Sequence, residues 1–290
     1  MLEWIGGLFT PRPLPGRVVV LTGATAGIGR ATAERLAARG ATVAAVARDD
    51  DALKQLAAEV DGVVPFACDV SSDADRAALI DDVTSRLGRV DVLVNNVGIG
   101  WTGLVEDMDI AQIHTMVDTN VVGSADLARL VLPHMLSRGN GDVVFTASGA
   151  SWFSTPPLTV YSMTKYAVEG FAEGLRREVL TRGVRVHTVY PGLVSTQFAA
   201  RAAGQQPGEV DGLPQQGPGI PPDWVAAAIE RLLERGGTSS VSVPRVLGLT
   251  RVVKLPPLQQ AADLLVAVGA QRLASIGRDV ATRAAGPYAR

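Results

Sequence analysis

The stretch RVVVLTGATAGIGRATAERLAARG, residues 17–40, holds the signals of a strand, a tight turn and a helix in direct succession. Residues 17–22 form a continuous aliphatic run, which is typical of a strand buried on both faces of a parallel sheet. Residues 30–39 are rich in Ala, Arg, Glu and Leu and end at Gly40, a residue type that often closes a helix. The stretch therefore predicts a buried strand that is joined by a glycine-rich turn to a helix.

Similar aliphatic runs recur along the chain with helical segments between them. The predicted strands occupy residues 17–22, 41–47, 62–67, 91–95, 141–147 and 184–190, with 238–243 as a candidate seventh. The predicted helices include residues 30–39, 71–83, 161–182 and 224–234. Because strand and helix alternate at least six times, the sequence predicts an α/β fold with a doubly wound parallel sheet, the Rossmann fold, in one domain with helices on both faces.

The composition fits one large domain and argues against several classes of protein. Of the 290 residues, 47% are hydrophobic and 19% are charged, which is enough to bury a substantial core. A formal net charge of -2 gives no electrostatic basis for binding nucleic acid. Cys68 is the only cysteine, so no intramolecular disulfide can form, and we expect a reducing, cytoplasmic location. The three histidines are dispersed and predict no metal site, and His187 is expected in the core.

The chain ends and one irregular segment set the predicted domain boundaries. We expect an N-terminal arm at 1–16, docked on the surface, the α/β domain at 17–249 and a partly helical C-terminal extension at 250–290. The stretch 193–222 is crowded with Gly, Pro and Gln and predicts a substrate loop. No stretch approaches the roughly 20 apolar residues of a membrane span, which leaves peripheral contact through the termini. The extension is open to four roles: a dimer contact, a lid, a membrane contact, or a helix packed on its own domain.

The turn TGATAGIG, residues 22–29, has the features of a phosphate-binding loop. Its three glycines allow a tight turn and the close approach of a pyrophosphate to backbone amides at a helix N-terminus. The predicted cofactor contacts in this turn are Gly23, Thr25, Ala26, Gly27, Ile28 and Gly29. A loop without this role is the alternative, but the strand before it and the helix after it favour dinucleotide binding.

The end of the second strand bears on the choice between the two nicotinamide cofactors. An acidic residue there would bond to the ribose 2′-OH of NAD and repel a 2′-phosphate, but Ala47 occupies this position. Arg48 follows, and a guanidinium suits a phosphate. The sequence therefore favours NADP(H) over NAD(H), although the acidic run 49–51 counts against it and an exposed surface arginine is the alternative.

The third and fourth strands also end in polar residues. Asp69 and Val70 follow the third strand, and Asn96 and Gly98 follow the fourth. Because the carboxyl ends of the strands line the crevice of a doubly wound sheet, we expect these residues to contact the adenine and ribose. Turn capping is the alternative role for the Asp and the Asn.

Tyr161 and Lys165 stand four residues apart and so share one face of a predicted helix. A free phenol has a pKa of about 10, and we expect the nearby ammonium to lower the pKa of Tyr161 toward the range of acid–base catalysis. Ser148 ends the fifth strand and presents a hydroxyl to the same crevice. A Tyr-x-x-x-Lys pair alone could simply be part of a solvated helix face. The pair together with Ser148 supplies the groups that hydride transfer to a carbonyl requires.

Taken together, these motifs resemble those of the short-chain dehydrogenases/reductases of the non-extended type. The matching segments are TGATAGIG at 22–29, NNVG at 95–98, YSMTK at 161–165 with Ser148 upstream, and PGLVST at 191–196. The resemblance spans about residues 17–243. It implies an oxidoreductase that acts on CH–OH donors with NAD(P)⁺ as acceptor.

Further site residues and partners are implied by this resemblance. Asn120 matches an Asn that completes the family's catalytic tetrad, where it would hold a water that links Lys165 to solvent. The implied cofactor contacts also include Tyr161, Lys165, Pro191, Gly192, Val194 and Thr196. A homodimer or homotetramer built on the helical regions 109–136 and 160–182 is implied as well.

Two positions depart from the family pattern. Val97 replaces the usual Ala of the NNAG motif and is expected to add bulk beside the cofactor. Ala26 stands where some NADP-preferring relatives carry a basic residue, so Arg48 would bind the additional phosphate largely alone.

Specificity is expected to come from the loops above the strand ends, including the region around Trp101. The predicted substrate contacts are Ser148, Trp152, Phe153, Tyr161 and Phe198. Arg201 is the only cation near them, which favours an apolar, lipid-like or steroid-like ketone, aldehyde or alcohol. Ordinary loop anchors are the alternative role for the aromatic residues.

Two functions compete with catalysis. A catalytically silent NADPH-binding sensor or regulatory protein could use the same fold, because architecture alone does not carry function. The apolar chain ends also allow a membrane-surface protein. The presence of Ser148, Tyr161, Lys165 and Asn120 in one chain favours the enzyme.

Overall fold

The computed structural model describes residues 9–196, 198, 219–254 and 258. The strands are β1 (Val18–Thr22), β2 (Thr42–Ala47), β3 (Val63–Ala67), β4 (Val92–Asn95), β5 (Gly141–Thr146), β6 (Val184–Pro191) and β7 (Ser240–Val243). The helices are α1 (Gly27–Ala38), α2 (Asp50–Glu59), α3 (Asp73–Leu87), α4 (Ile110–Val117), α5 (Gly123–Ser137), α6 (Thr159–Val179) and α7 (Pro222–Glu234). A π-helical turn, Asp118–Val122, joins α4 to α5, and a 3₁₀ segment, Arg245–Lys254, follows β7.

The strands form one parallel sheet in the order β3-β2-β1-β4-β5-β6-β7. The predicted doubly wound fold is confirmed, and the candidate seventh strand is present. Strand order reverses between β1 and β4, and the carboxyl ends of these strands flank the crevice where such sheets bind ligands.

Both faces of the sheet are covered by helices. In β1, Val18 and Val20 face the core formed with α3, α5 and α6, whereas Val19 and Leu21 face the core formed with α1, α2 and α7. An unbroken aliphatic run is therefore needed, because successive strand residues point to opposite faces and both faces exclude water.

The bounds of all four predicted helices differ from the prediction by up to four residues, and two of the differences have a local cause. α1 begins at Gly27, not at Arg30, because the end of the glycine-rich turn itself forms the first helical turn. α3 continues past the predicted end at Val83 to Leu87, and Gly88 closes it with a φ of 82° in the left-handed region.

The described part of the predicted N-terminal arm belongs to the core of the domain. Leu14 is fully buried among residues of α1 and α7. The Arg12 backbone N–H donates to the carbonyl of Glu234, 3.1 Å away, and its guanidinium donates to the carbonyls of Gly141 and Gly183. The structure thus corrects the expectation of a segment merely docked on the surface.

The predicted boundary at 249–250 falls inside the 3₁₀ segment that follows β7. Leu247 of this segment packs on a cluster of Ala147, Trp152 and Tyr190, so the chain continues past 249 as part of the domain. Most of the predicted C-terminal extension and most of the substrate loop lie outside the described residues. Among the helices in the described ranges, none has the length and apolar character that a bilayer crossing needs.

A buried ionic cluster lies at the amino end of β5, opposite the crevice. Asp142 is fully buried and accepts hydrogen bonds from Arg185 at 2.6 and 3.1 Å, from Arg17, and from Arg12 at 3.4 Å. His187 is also fully buried, as predicted, and its Nε2 lies 3.0 Å from the carboxylate of Asp142. The cluster ties β1, β5, β6 and the N-terminal segment together.

Candidate active site

The glycine-rich turn between β1 and α1 has the shape of a phosphate cradle. Gly23 and Gly27 have φ values of 68° and 53°, in the left-handed region that favours glycine. A Cβ on Gly29 would lie 1.9 Å from the carbonyl oxygen of Gly23, so only glycine lets α1 start this close to the strand. The first turn of α1 carries no acidic residue, which leaves its backbone N–H groups available to an anion. These features fit the pyrophosphate of a dinucleotide.

The other predicted residues of the turn have distinct positions. Ala26 is the N-cap of α1 and makes no side-chain hydrogen bond, and Thr25 is half-buried beside it. Ile28 packs its side chain against the core.

The segment after β6 closes on this turn. Its implied cofactor contacts are Pro191, Gly192, Val194 and Thr196. The methyl group of Thr196 would touch a Cβ on Gly27 at 3.0 Å, so this segment and the glycine-rich turn are in direct proximity. Val194 forms an isolated parallel bridge with Ile220, which fixes the start of the segment.

Arg48 is exposed at the carboxyl end of β2, and its guanidinium makes no ion pair within the described residues. Two of the three acidic residues that follow are engaged elsewhere. Asp49 caps α2 by accepting from Ala52 N–H at 3.0 Å, and Asp50 pairs with Lys54 at 2.6 Å. Their engagement removes much of the objection to a phosphate beside Arg48.

The loop after β3 is fixed by an arginine that sequence reasoning missed. Arg76 of α3 is almost fully buried and donates to the Val70 carbonyl and to Asp126 of α5, both at 2.7 Å. Asp69 accepts from the backbone and the hydroxyl of Ser71, so its carboxylate serves as a turn cap in this structure. A buried arginine gives no signal in a single sequence, because its spacing from Asp126 is 50 residues.

The segment after β4 is tied to β1. Asn96 donates from Nδ2 to the Thr22 carbonyl at 3.0 Å, and this side chain therefore braces the turn. A Cβ on Gly98 would lie 3.2 Å from Lys165 Nζ, so Gly98 leaves room next to the lysine. Val97 is partly buried and packs against the core on the α5 and α6 side, and its effect on the fit of the cofactor stays a prediction.

Three predicted catalytic side chains meet where the carboxyl end of β5 lies next to the first two turns of α6. Tyr161 lies in the first turn of α6 and its hydroxyl shares a hydrogen bond with Ser148, which follows β5. Lys165 Nζ lies 5.7 Å from the centroid of the Tyr161 ring and donates to the Thr146 carbonyl at 3.0 Å. Both Tyr161 and Lys165 are buried. The arrangement brings a phenol, a hydroxyl and an ammonium to one point of the crevice.

Burial sets the protonation of this group. It raises the pKa of Tyr161 to about 12, and the hydrogen bond with Ser148 opposes this only in part. The expected lowering of this pKa is therefore corrected: enclosure of the phenol raises it, and the Lys165 ammonium is bonded to Thr146. Burial also lowers the pKa of Lys165 to about 8. At neutral pH the tyrosine is thus a neutral proton donor and the lysine is mostly a cation.

Asn120 lies in the π-helical turn between α4 and α5, not in a regular helix. Its amide accepts from the Ile99 N–H at 2.8 Å and donates to the Ile99 carbonyl at 2.9 Å and to Thr164 Oγ1 at 3.0 Å. The side chain braces the loop after β4 against α6, directly beside Lys165. A water link from this position to the lysine stays a prediction.

The predicted substrate contacts separate into two groups. The Phe198 ring lies 5.5 Å from the Tyr161 ring, which confirms their proximity. Phe153 is half-buried in the turn after β5. Trp101 lies in a region that the sequence predicts to contribute to specificity, and it packs with Tyr161 in one buried cluster.

Trp152 has a different position from the one predicted. Its ring lies 4.2 Å from the ring of Tyr190, its Nε1–H donates to Glu169 at 3.0 Å, and Arg251 covers its face. These contacts make Trp152 an anchor for the segment after β7, because its indole is already surrounded by protein groups.

Comparison with known proteins places this site in a family context. The family model described as short chain dehydrogenase matches residues 17–207. The 3-ketodihydrosphingosine reductase of Bos taurus is 32% identical over 251 residues, which cover 83% of this chain and 76% of that protein.

Two solved structures share the fold and hold nicotinamide cofactors. A 3-ketoacyl-(acyl-carrier-protein) reductase from Brucella melitensis complexed with NADH is 27% identical, with a TM-score of 0.71, and the match covers 79% of this chain and 97% of that one. A metagenomic short-chain oxidoreductase in complex with NADP is 28% identical, with a TM-score of 0.68, covering 80% of this chain and 98% of that one.

Proposed function

The chain belongs to the short-chain dehydrogenase family and is an oxidoreductase, and we propose that it uses NADP(H) to interconvert an apolar carbonyl compound and its alcohol. The observation that carries the proposal is the convergence of Ser148, Tyr161 and Lys165 at the carboxyl edge of the sheet, the same edge that carries the glycine-rich turn. A sensor protein would need the turn but would have no use for a buried proton donor and cation next to it.

The chemistry divides between the cofactor and the protein. A bound nicotinamide supplies the hydride for reduction and takes it up in oxidation. In reduction the Tyr161 O–H gives its proton to the carbonyl oxygen as the carbonyl carbon gains the hydride, so C=O becomes CH–OH. The Ser148 hydroxyl donates a hydrogen bond to the same oxygen, and the Lys165 ammonium stabilises the phenolate that remains.

The proposal is tested by a panel of apolar ketones, aldehydes and secondary alcohols, with NADPH or NADP⁺ and with NADH or NAD⁺, followed at the nicotinamide absorbance band. We expect turnover of several panel members, faster with the phosphorylated cofactor. Cofactor binding without any turnover across the panel would favour the silent sensor.

The pH dependence of reduction is expected to follow Lys165. Because burial lowers the pKa of Lys165 to about 8, its ammonium is present below that pH and lost above it, while the Tyr161 phenol stays protonated up to about 12. We therefore expect kcat/KM for NADPH, which reports groups of the free enzyme, to fall as the pH rises through about 8. Initial rates measured from about pH 6 to 10 check this. A profile that stays flat to pH 10 would contradict it.

The preference for NADP(H) is proposed to rest on Arg48. It is exposed at the end of β2 without an ion pair in the described part of the chain, and Asp49 and Asp50 are held by α2. A guanidinium at this point can bind the 2′-phosphate through charge-assisted hydrogen bonds.

Arg48→Asp is expected to lower the ratio of kcat/KM for NADPH to kcat/KM for NADH at least about tenfold, since it removes an attraction and adds a repulsion. Both constants are measured with one carbonyl substrate. Arg177→Asp is the control, because Arg177 is an exposed arginine on α6 that pairs with Glu173. An unchanged ratio in Arg48→Asp would remove Arg48 from this role.

The substrate is proposed to be apolar near its carbonyl. The exposed Phe198 ring lies beside Tyr161 and provides apolar surface next to the proton donor, and the buried Trp101 packs in one cluster with Tyr161. In the part of the chain that the structure describes, Lys165 is the one lysine or arginine found over the Tyr161 ring. By their names, the Bos taurus and Brucella melitensis relatives also act on keto compounds.

The protein is proposed to form a homodimer or homotetramer. An apolar groove runs between α5 and α6, the helices implied for subunit contact, and includes Val122, Leu132 and Phe171. Val122 and Phe171 are exposed, so a second copy of this groove would bury them.

A further inference from the structure

Exposed apolar side chains are concentrated at the carboxyl edge of the sheet, where the active site opens. Fourteen large apolar side chains are exposed in the described part of the chain, and nine of them lie at this edge. They follow β4, β6 or β7 or sit at the start of α4, α6 or α7: Leu104, Val105, Ile110, Met163, Leu193, Phe198, Trp224, Val246 and Leu249. Clustering of this kind marks an interaction surface, whereas scattered exposed apolar residues do not.

The charge pattern divides this edge into two halves. On the α4 side, Glu106, Asp107 and Asp109 are exposed among the apolar residues and make that half acidic. The half that follows β6 and β7 carries Leu193, Trp224, Val246 and Leu249 together with the exposed Arg245, and we call these five residues the docking face. Its nearby acidic residue, Asp223, is paired with Arg35 at 2.6 Å.

Backbone hydrogen bonds join the segments that carry the docking face. The Ile220 N–H donates to the Leu193 carbonyl at 2.9 Å, which joins Leu193 to the start of α7 and so to Trp224. The Gly192 N–H donates to the Val243 carbonyl at 2.8 Å, which joins Leu193 to the segment that carries Val246 and Leu249.

The inner side of the same segment borders the catalytic group. Leu247 would contact a Cβ on Gly149 at 2.8 Å, and Gly149 directly follows Ser148. Phe198 follows Leu193 in sequence, and its ring lies 5.5 Å from the Tyr161 ring. The two segments that carry Leu193 and Val246 therefore also carry residues that border the catalytic group.

Charge along the sequence identifies the partner. From Arg245 to the last residue, Arg290, the chain has seven basic and two acidic residues, a net charge of +5, whereas the whole chain has -2. The remaining residues, 1–244, therefore carry -7. The part of the chain that starts on the docking face thus has a positive net charge and the part before it a negative one, and basic residues joined to exposed aliphatic and Trp side chains are the pattern of contact with anionic lipid.

We propose that the docking face binds the surface of an anionic lipid bilayer and that the enzyme takes its apolar carbonyl substrate from that bilayer. The second statement rests on the proposed function, whereas the first does not. Val246, Leu249 and Trp224 enter the interfacial region, Arg245 contacts the lipid headgroups, and the acidic α4 half stays outside.

Co-sedimentation of the full chain with vesicles tests the proposal. We expect binding to phosphatidylcholine vesicles that contain phosphatidylglycerol, weaker binding to phosphatidylcholine alone, and a decrease with added salt. Val246→Asp with Leu249→Asp is expected to lower the vesicle partition coefficient at least about tenfold, because two aliphatic side chains that enter the interfacial region are replaced by charged ones. Arg245→Glu is expected to reduce the dependence on phosphatidylglycerol.

Ile110→Asp is the matched control. Ile110 is 66% exposed and Leu249 is 68% exposed, and both lie at the carboxyl edge, but Ile110 belongs to the acidic half. The control is expected to bind vesicles as the wild type does. Equal binding by the double variant and the control, or binding that ignores phosphatidylglycerol, would overturn the proposal. A change of oligomeric state in the double variant would overturn it too, because the face would then join copies of this chain.

The two proposals can fail separately. Sedimentation needs no turnover. A protein that binds vesicles as expected but reduces no carbonyl compound would therefore refute the proposed function and support the membrane-binding role of the docking face. Turnover of a water-soluble ketone serves as the second readout, and we expect the double variant to retain it at the wild-type rate. A double variant that sediments with vesicles like the wild type and keeps this turnover would support the proposed enzyme activity and refute membrane binding by the docking face.

Discussion

Replacing Tyr161 by phenylalanine is expected to lower kcat for carbonyl reduction by about 10²- to 10⁴-fold, the range that general acid catalysis contributes. The change removes the only proton that the buried phenol can donate and leaves the ring in its packing with Trp101 and Phe198. Cofactor affinity, measured by fluorescence titration with NADPH, should change little, because the glycine-rich turn and Arg48 are untouched. Loss of turnover with retained binding is the signature of a missing proton donor.

Tyr166→Phe is the control for this variant. Tyr166 lies on the same helix, five residues further on, and the change also removes one phenolic hydroxyl. The control should keep nearly wild-type kcat. A Tyr161→Phe enzyme that keeps more than about a tenth of wild-type kcat would show that another group delivers the proton.

The catalytic group was accessible from sequence because its parts depend on local spacing. Tyr161 and Lys165 share a helix face through the i, i+4 period, and Ser148 follows a buried strand. Parallel strands bring their carboxyl ends to one edge, so these residues converge once the fold is known. The same reasoning predicted the glycine-rich turn from 22 to 29.

Properties that depend on enclosure were not accessible in this way. The direction of the Tyr161 pKa was predicted wrongly, because spacing reveals the neighbouring cation but not how completely water is excluded. Trp152 was assigned to the substrate because it is aromatic and near Ser148 in sequence, whereas Tyr190, Glu169 and Arg251 hold it elsewhere. These partners lie 17 to 99 residues away along the chain, beyond the reach of any local pattern.

The cluster around Asp142 is the clearest case of structure that the sequence conceals. Burial by itself would raise the pKa of Asp142, but hydrogen bonds from His187 and Arg185 and the charge of Arg17 outweigh it and hold the pKa well below its usual range. Asp142 is therefore ionised. Burial lowers the pKa of His187, so we assign it as a neutral imidazole that donates from Nε2. One carboxylate thus compensates several buried guanidinium groups.

Asp142→Asn is expected to lower the free energy of unfolding at neutral pH by about 3–5 kcal/mol, the effect of removing one partner of a buried ion pair. The fully buried Arg185 would keep its charge and lose the carboxylate that compensates it. Urea denaturation followed by circular dichroism measures the change. Asp82→Asn is the control, because Asp82 forms an exposed pair with Arg86 at 3.2 Å, and it should cost less than about 1 kcal/mol.

The pH dependence of the free energy of unfolding distinguishes the effect of the charge of Asp142 from the effect of its packing. Because its folded pKa is depressed, Asp142 contributes stability above its unfolded pKa of about 3.9, and this contribution is lost as the pH falls toward the folded pKa. Unfolding of the wild type then takes up a proton at this site, whereas unfolding of Asp142→Asn does not. The stability gap between the two proteins should shrink by about 1.4 kcal/mol per pH unit below pH 3.9. A gap of constant size from pH 7 to pH 3 would mean that the carboxylate acts through packing alone and that the three arginines are stabilised by other groups.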